Sequence, residues 1–419
     1  MSAAVFEQLR ARSAPGTAFA AKLAGGGASE QWAEGARVLL SDGREAIDFG
    51  AYGVTLLGHR HPAVVEAVTA QLRLMPASTR LLANPTTAAF ADELGERFGA
   101  VGERVWLGSD GADAVEAAIK LARRASGRMR VLAVEHGFHG KTLGALALTW
   151  NPAFREGLEP LLGQVTHVGR EDPAAVAREV AVGDVAALIF EPRQGEAGAR
   201  ALDPELLRRW SADARAAGAF VICDEVQAGL RRCGPFSVAR AEGVEVDAVL
   251  LGKALGGGVM PLSALLARAE LYEPLRADPT FHTATFSGHP LACAAGRAAL
   301  RVGDRLADEA AAAGARLGAG LELLAAAHPE TVVGVHGAGL MWALELAAPA
   351  LAGSVLIDLA RAGLLVSPCL SAPASIRLLP PMVTTEEQLA RALELLDAAL
   401  AAAAASFAGT ASLAGGRSR

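Results

Sequence analysis

Asp247-Ala-Val-Leu-Leu-Gly-Lys253-Ala-Leu-Gly-Gly-Gly258 is the stretch that decides how this chain is read. A short apolar run gives way to a lysine and three glycines, as a buried strand does where it empties into a loop. The chain has four lysines (Lys22, Lys120, Lys141, Lys253) among 39 basic residues, so a lysine in that apolar setting stands out. Lost hydration disfavours the charged amine and lowers its pKa. A neutral amine beside small, permissive residues is what a Schiff base with a carbonyl compound requires.

Upstream, Ala219-Phe-Val-Ile-Cys-Asp224-Glu-Val-Gln227 repeats the pattern with a carboxylate at the strand end. A strand-end amine and a strand-end carboxylate are the two groups that pyridoxal phosphate (PLP) needs, one for its aldehyde and one for its ring nitrogen.

The bulk numbers fit an enzyme of two or three domains: 419 residues, 52% of them apolar, with a formal charge of −6. Scattered arginines in a net acidic chain argue against a nucleic-acid surface. The first residues lack a basic region followed by an apolar core, so no signal peptide is read there. No uninterrupted apolar run of membrane-spanning length is read either. The four cysteines (Cys223, Cys233, Cys293, Cys369) show no Cys-x-x-Cys spacing and read as buried thiols of a reducing, cytoplasmic compartment. His59-x-His61 and His136-x-x-His139 lack a third ligand, so no metal site is expected.

Between about residues 105 and 275, apolar runs alternate with helical stretches, which predicts a mainly parallel sheet covered by helices. The first 50 residues read as an extended arm, with a hairpin turning at Asp42-Gly43. Pro62 suits the first turn of a helix. After Pro290 a long helix is expected to about Ala327, then strands at Gly339–Leu346 and Ile376–Leu379. A last helix opens on a capping box at Thr384-Thr-Glu-Glu387. The expected division is an arm over 1–50 that joins the small domain, a large domain over 51–288, a small α+β domain over 289–402 and a flexible tail over 403–419.

Two turns complete the pattern. Gly108-Ser-Asp-Gly111-Ala112-Asp-Ala-Val115-Glu116 opens a helix whose free N–H groups suit a phosphate. Lys120 reads as the i+4 partner of Glu116. In Glu135-His-Gly-Phe138-His139-Gly140-Lys141, glycines flank an aromatic that can lie on a planar ring.

The order of these segments, followed by Glu191-Pro-Arg-Gln-Gly-Glu196 and Thr283-Ala-Thr285-Phe-Ser-Gly-His-Pro290, resembles the class III PLP-dependent aminotransferases nearly end to end. Within them the motifs look most like the putrescine branch, with acetylornithine-type enzymes next. The resemblance implies a fold-type I transferase: a large α/β domain with a mainly parallel, seven-stranded type of sheet, a smaller α+β domain from both chain ends, and a homodimer. It implies that Lys253 carries the Schiff base and moves the proton, that Asp224 keeps the ring nitrogen protonated, and that Gln227 bonds the phenolic oxygen. Phe138 would stack on the ring with His139 beside it. Gly111 and Ala112 would hold the phosphate, helped by Thr285 of the neighbouring subunit. Arg377 would clamp a keto acid such as 2-oxoglutarate, Glu196 would neutralise that arginine for an amine substrate, and Tyr52 would shape the pocket.

The chain departs from the family at Asp110, where Ser or Thr is usual, and at Arg193, Ala228, Arg231-Arg232-Cys233, Ser287 and His289. An aminomutase, a decarboxylating transaminase or an aldehyde-aminating enzyme of the same family would use the same core residues. A silent scaffold would follow if Asp110 kept PLP out. A nucleotide-binding enzyme is disfavoured, because the Gly108 turn has neither G-x-G-x-x-G nor a P-loop lysine.

Overall fold

The runs read between residues 105 and 275 fold into one sheet of seven strands. Their order is Arg104–Gly108, Ser263–Ala267, Ala248–Leu251, Phe220–Asp224, Val185–Phe190, Arg130–Val134 and Val165–Val168. The structure is a computed structural model and describes residues 2–415. Ser263–Ala267 runs antiparallel to both its neighbours, and the other pairs are parallel. Val185–Phe190 is buried along its whole length, as a central strand covered on both faces must be. Helix Gly111–Ser126 packs Val115, Ile119, Leu121 and Ala122 on the sheet, against Val131, Ile189, Ile222 and Leu265. Strand Val165–Val168 at the sheet edge was not anticipated, because Val-Thr-His-Val carries too little apolar character to stand out.

Contacts divide the chain into two compact units, residues 62–305 and residues 1–61 with 306–419. Helix Pro290–Arg305 therefore groups with the sheet unit, whereas the sequence reading placed it in a small domain over 289–402. At Gly296 a Cβ would lie 2.7 Å from the Phe90 ring, so that helix sits directly against helix Pro85–Glu96. The long helix expected to Ala327 is two helices, broken at Leu306, where ψ is 6°.

The other unit carries two small sheets. In one, the expected hairpin pairs Arg37–Leu40 with Glu45–Asp48 around Asp42-Gly43, and Gly43 takes the left-handed φ of 85°. In the other, Met341–Leu346 lies between Val332–Ala338 and Ser375–Leu378. Its core gathers Phe49, Leu317, Leu344, Val355, Ile376 and Leu396.

Three local expectations are corrected. The arm begins with helices Ser2–Arg12 and Pro15–Ala24 rather than extended chain. Their residues are good helix formers, but their apolar positions do not repeat on one face, so no periodic signal marked them. The capping box falls one residue later than read: Thr385 Oγ1 accepts from Gln388 N at 3.2 Å, and Gln388 Oε1 accepts from Thr385 N at 3.0 Å. Helix Glu386–Gly415 continues into the alanine-rich stretch expected as a tail over 403–419, and residues 416–419 lie outside the described residues. Helix Ala307–Ala327 is long and apolar enough by composition to cross a membrane, yet its Leu317 and Leu321 pack in the core just described.

Candidate active site

The carboxyl ends of the parallel strands bring the expected residues of the sheet unit to one edge. Gly111 follows Arg104–Gly108, Phe138 and His139 follow Arg130–Val134, Glu191 follows Val185–Phe190, Asp224 closes Phe220–Asp224, and Lys253 follows Ala248–Leu251. Asp224 is in register with Leu250, so the carboxylate and the lysine leave adjacent strands side by side.

Asp224 is buried, and both its oxygens are engaged. Oδ2 lies 2.8 Å from Nδ1 of the fully buried His139, and Oδ1 accepts from Val226 N at 3.0 Å. Burial alone would push the His139 imidazole down, but the hydrogen bond and charge of Asp224, with the charge of Glu191, hold it above its ordinary value. Glu191 is buried beside this pair and accepts from Phe138 N at 2.8 Å, which fixes the aromatic turn. Burial, reinforced by Asp224 and opposed by His139, Phe138 N–H and Lys253, moves its carboxyl up to about 7. Phe138 meets Phe154 edge-on at 6.5 Å.

Lys253 has a φ of +44°, a left-handed conformation that side chains with a Cβ adopt at a cost of about 1–2 kcal/mol. Neighbouring Gly252 is closely packed: a Cβ there would lie a tight 3.1 Å from Val226 Cγ1 and in ordinary contact, 3.5 Å, with Gly111 Cα. The turn that opens helix Gly111–Ser126 thus sits directly beside the lysine loop. Asp110, the departure that threatened this turn, caps the helix through Oδ1, accepting from Asp113 N at 3.0 Å. Asp113 Oδ2 in turn accepts from Ser109 N at 3.0 Å. The N–H groups of Gly111 and Ala112, at the first two helical positions, have no acceptor among the described residues.

Lys120 does not pair with Glu116. Its Nζ donates to Phe281 O at 3.2 Å and lies 3.1 Å from His282 Nδ1. Glu116 Oε1 instead accepts from Thr142 Oγ1 at 2.6 Å, Gly144 N at 2.8 Å and Ala145 N at 3.2 Å, holding the helix that follows the aromatic turn. Thr285 lies on an exposed loop, Gln227 is buried after Asp224, and Glu196 is buried in the turn Gly195–Ala197. Arg377 and Tyr52 belong to the other unit. Arg377 is buried on strand Ser375–Leu378, and Tyr52 is 74% exposed with a φ of +51°.

Sequence reasoning gave no role to Glu191, although it follows an apolar strand as Lys253 does, and that signal was available. Glu116 and Lys120 were read as a pair with each other, and spacing could not show their true partners, which are fixed by loop geometry.

The family described as aminotransferase class-III matches residues 28–400. The chain belongs to the class III aminotransferases. A putrescine aminotransferase of Pectobacterium atrosepticum is 37% identical over 380 residues, covering 88% of this chain and 81% of that protein. An acetylornithine aminotransferase of Streptomyces coelicolor is 41% identical over 356 residues, covering 83% and 85%. An amine transaminase from an uncultivated Pseudomonas species, solved in its PLP-bound form, superposes with a TM-score of 0.83 at 28% identity, covering 90% of this chain and 95% of that one. Family and neighbour together imply PLP as the cofactor of this class III enzyme. The donor set fits it: two uncommitted helix-terminal N–H groups, a close-packed glycine cradle, a buried strand-end carboxylate and a lysine just past the end of the adjacent strand.

Proposed function

We propose that this aminotransferase moves an amino group between a primary amine, a diamine such as putrescine or an ω-amino acid, and a keto acid, 2-oxoglutarate, by a ping-pong route in a homodimer. The observation that carries the chemistry is the register of Asp224 with Leu250, which sets a His139-braced carboxylate beside the Lys253 loop. PLP, when bound, supplies the electron sink. Gly111 and Ala112 bind its phosphate through N–H groups, with Thr285 of a neighbouring subunit supplying a hydroxyl. Phe138 orients the ring by stacking, and Gln227 holds its phenolic oxygen. Asp224, braced by His139 Nδ1, holds the proton at the ring nitrogen. Lys253 Nζ takes and returns the proton at the substrate Cα.

The diamine assignment is supported by the likeness to a putrescine aminotransferase over 88% of the chain. The higher identity to an acetylornithine aminotransferase, 41%, favours a second reading in which the donor is an N-acylated ornithine. Initial rates of the purified enzyme with putrescine, ω-amino acids and acetylornithine against 2-oxoglutarate separate the two.

Arg377 binds the keto-acid carboxylate as a bidentate fork, and Glu196 neutralises that arginine when the substrate presents an amine end. Arg377→Ala should then slow the 2-oxoglutarate half-reaction by about 10–150-fold, the equivalent of a charge-assisted pair, and the amine half far less. Glu196→Gln should do the reverse. Stopped-flow spectra follow each half. Equal losses in both halves for both variants would make these residues structural.

A further inference from the structure

Arg80 holds the loop that carries Thr285. Its Nη1 donates to three carbonyls at once: Ala284 O at 2.8 Å, Thr285 O at 3.0 Å and Ser287 O at 2.9 Å. The first two belong to the peptide planes on either side of the Thr285 Cα. With both planes pinned, the backbone angles at Thr285 are set, and with them the direction of its Cα–Cβ bond. The loop is anchored elsewhere as well. Lys120 takes Phe281 O at its start, and at its end Ser287 Oγ bonds Leu107 O and Thr87 Oγ1 donates to Gly288 O at 2.7 Å. At the threonine itself Arg80 acts together with a turn bond, in which Ser287 N donates to Ala284 O at 3.1 Å. The Thr285 hydroxyl has no partner among the described residues and the residue is exposed, so the loop is fixed while its functional group is turned outward and uncommitted.

Arg80 has a φ of +61°, the left-handed region that favours glycine. A glycine there would relieve the strain but would lack the guanidinium. The three carbonyls share the two hydrogens of one Nη1 on an always-charged group, and charge-assisted bonds are the stronger kind.

We propose that Arg80 is a positioning residue that presents the Thr285 hydroxyl to the cofactor phosphate of a second copy of the chain. The proposal rests on the cross-subunit reading of Thr285 given above. Two features put Arg80 beyond motif reading: it lies roughly 200 residues from the loop it serves, in an irregular segment between helices Pro62–Leu74 and Pro85–Glu96.

The test is PLP affinity, measured by titrating apoenzyme and following cofactor absorbance, with the dimer checked by gel filtration. Arg80→Ala is expected to weaken PLP binding about tenfold, and Arg80→Lys, which keeps a charged donor, by less. Because Arg80 acts through Thr285, the double variant Arg80→Ala/Thr285→Ala should bind PLP no more weakly than Thr285→Ala alone. Additive losses, or unchanged affinity in folded Arg80→Ala dimers, overturn the proposal and leave the role of Thr285 standing. If Thr285→Ala itself binds PLP as tightly as the parent, the cross-subunit cup fails and the role of Arg80 falls with it. Should Arg80→Ala not yield folded protein, Arg80→Gln takes its place with the same expected signs.

Discussion

Glu191 shows how burial turns one carboxyl to a different purpose from another of the same site. Asp224 accepts from a backbone N–H and faces His139, whereas Glu191 accepts from one backbone N–H; burial, with the adjacent Asp224 charge, raises the Glu191 pKa to about 7 from an ordinary 4.5. A carboxyl raised in the folded state binds more protons folded than unfolded. Its stabilising contribution is therefore fully present below about pH 4.5 and lost as pH rises through about 7. The apoenzyme should lose on the order of 2–3 kcal/mol across that window from this group. Glu191→Gln keeps an acceptor for Phe138 N–H and should flatten the loss. Melting temperatures at pH 5 and pH 8 measure it, and parallel curves for parent and variant would contradict the assignment. At the same scale, Lys253→Ala should abolish the visible absorbance of bound PLP and its trapping by borohydride. The nearby lysines are committed: Lys120 to Phe281 O and His282, and Lys141 over the Phe154 ring at 3.8 Å. Peptide mapping that placed the label on either would refute the choice.

At the scale of elements, the strands that carry the chemistry were legible because burial on both faces writes them as continuous apolar runs, as in Val185–Phe190 and Ala248–Leu251. Their ends were legible too, since a charged residue closing such a run has few reasons to be there. What the one-dimensional pattern could not carry was the tying of one loop to another. The spacing of Glu116 and Lys120 suggested a surface pair, yet each reaches a different loop, because a capping or anchoring partner is chosen by proximity in the fold. Asp110 is the reverse case. Its residue type looked hostile to a phosphate, while its place ahead of helix Gly111–Ser126 makes it an ordinary N-cap. Glu116→Ala should strip three donors of their acceptor and destabilise the protein by about 1–3 kcal/mol. Protection from hydrogen exchange should fall first at residues 142–145. Glu116→Gln, which keeps the acceptor oxygen, should lose less than half as much. Equal losses would show that charge, and not capping, is what Glu116 contributes.

At the scale of the whole molecule, the open question is which site each Thr285 serves. Its hydroxyl has no partner among the described residues and its loop is exposed, with Phe286 beside it 65% exposed, so the group is open to a neighbouring surface. In the proposed homodimer a second copy of the chain would supply one, and two-fold symmetry would make the exchange reciprocal. Subunits carrying Lys253→Ala and subunits carrying Thr285→Ala, each crippled alone, can be mixed and allowed to exchange. In a heterodimer the Lys253→Ala subunit lends its intact Thr285 to the other site, which keeps its own lysine, so that site is whole. Both defects meet in the remaining site. Statistical exchange makes about half the dimers mixed, each with one good site, so recovery of about a quarter of the parent activity per total protein is expected. If Thr285 served its own subunit, no site in the mixture would combine an intact lysine with an intact hydroxyl, and activity would stay at the level of the Thr285→Ala protein after exchange.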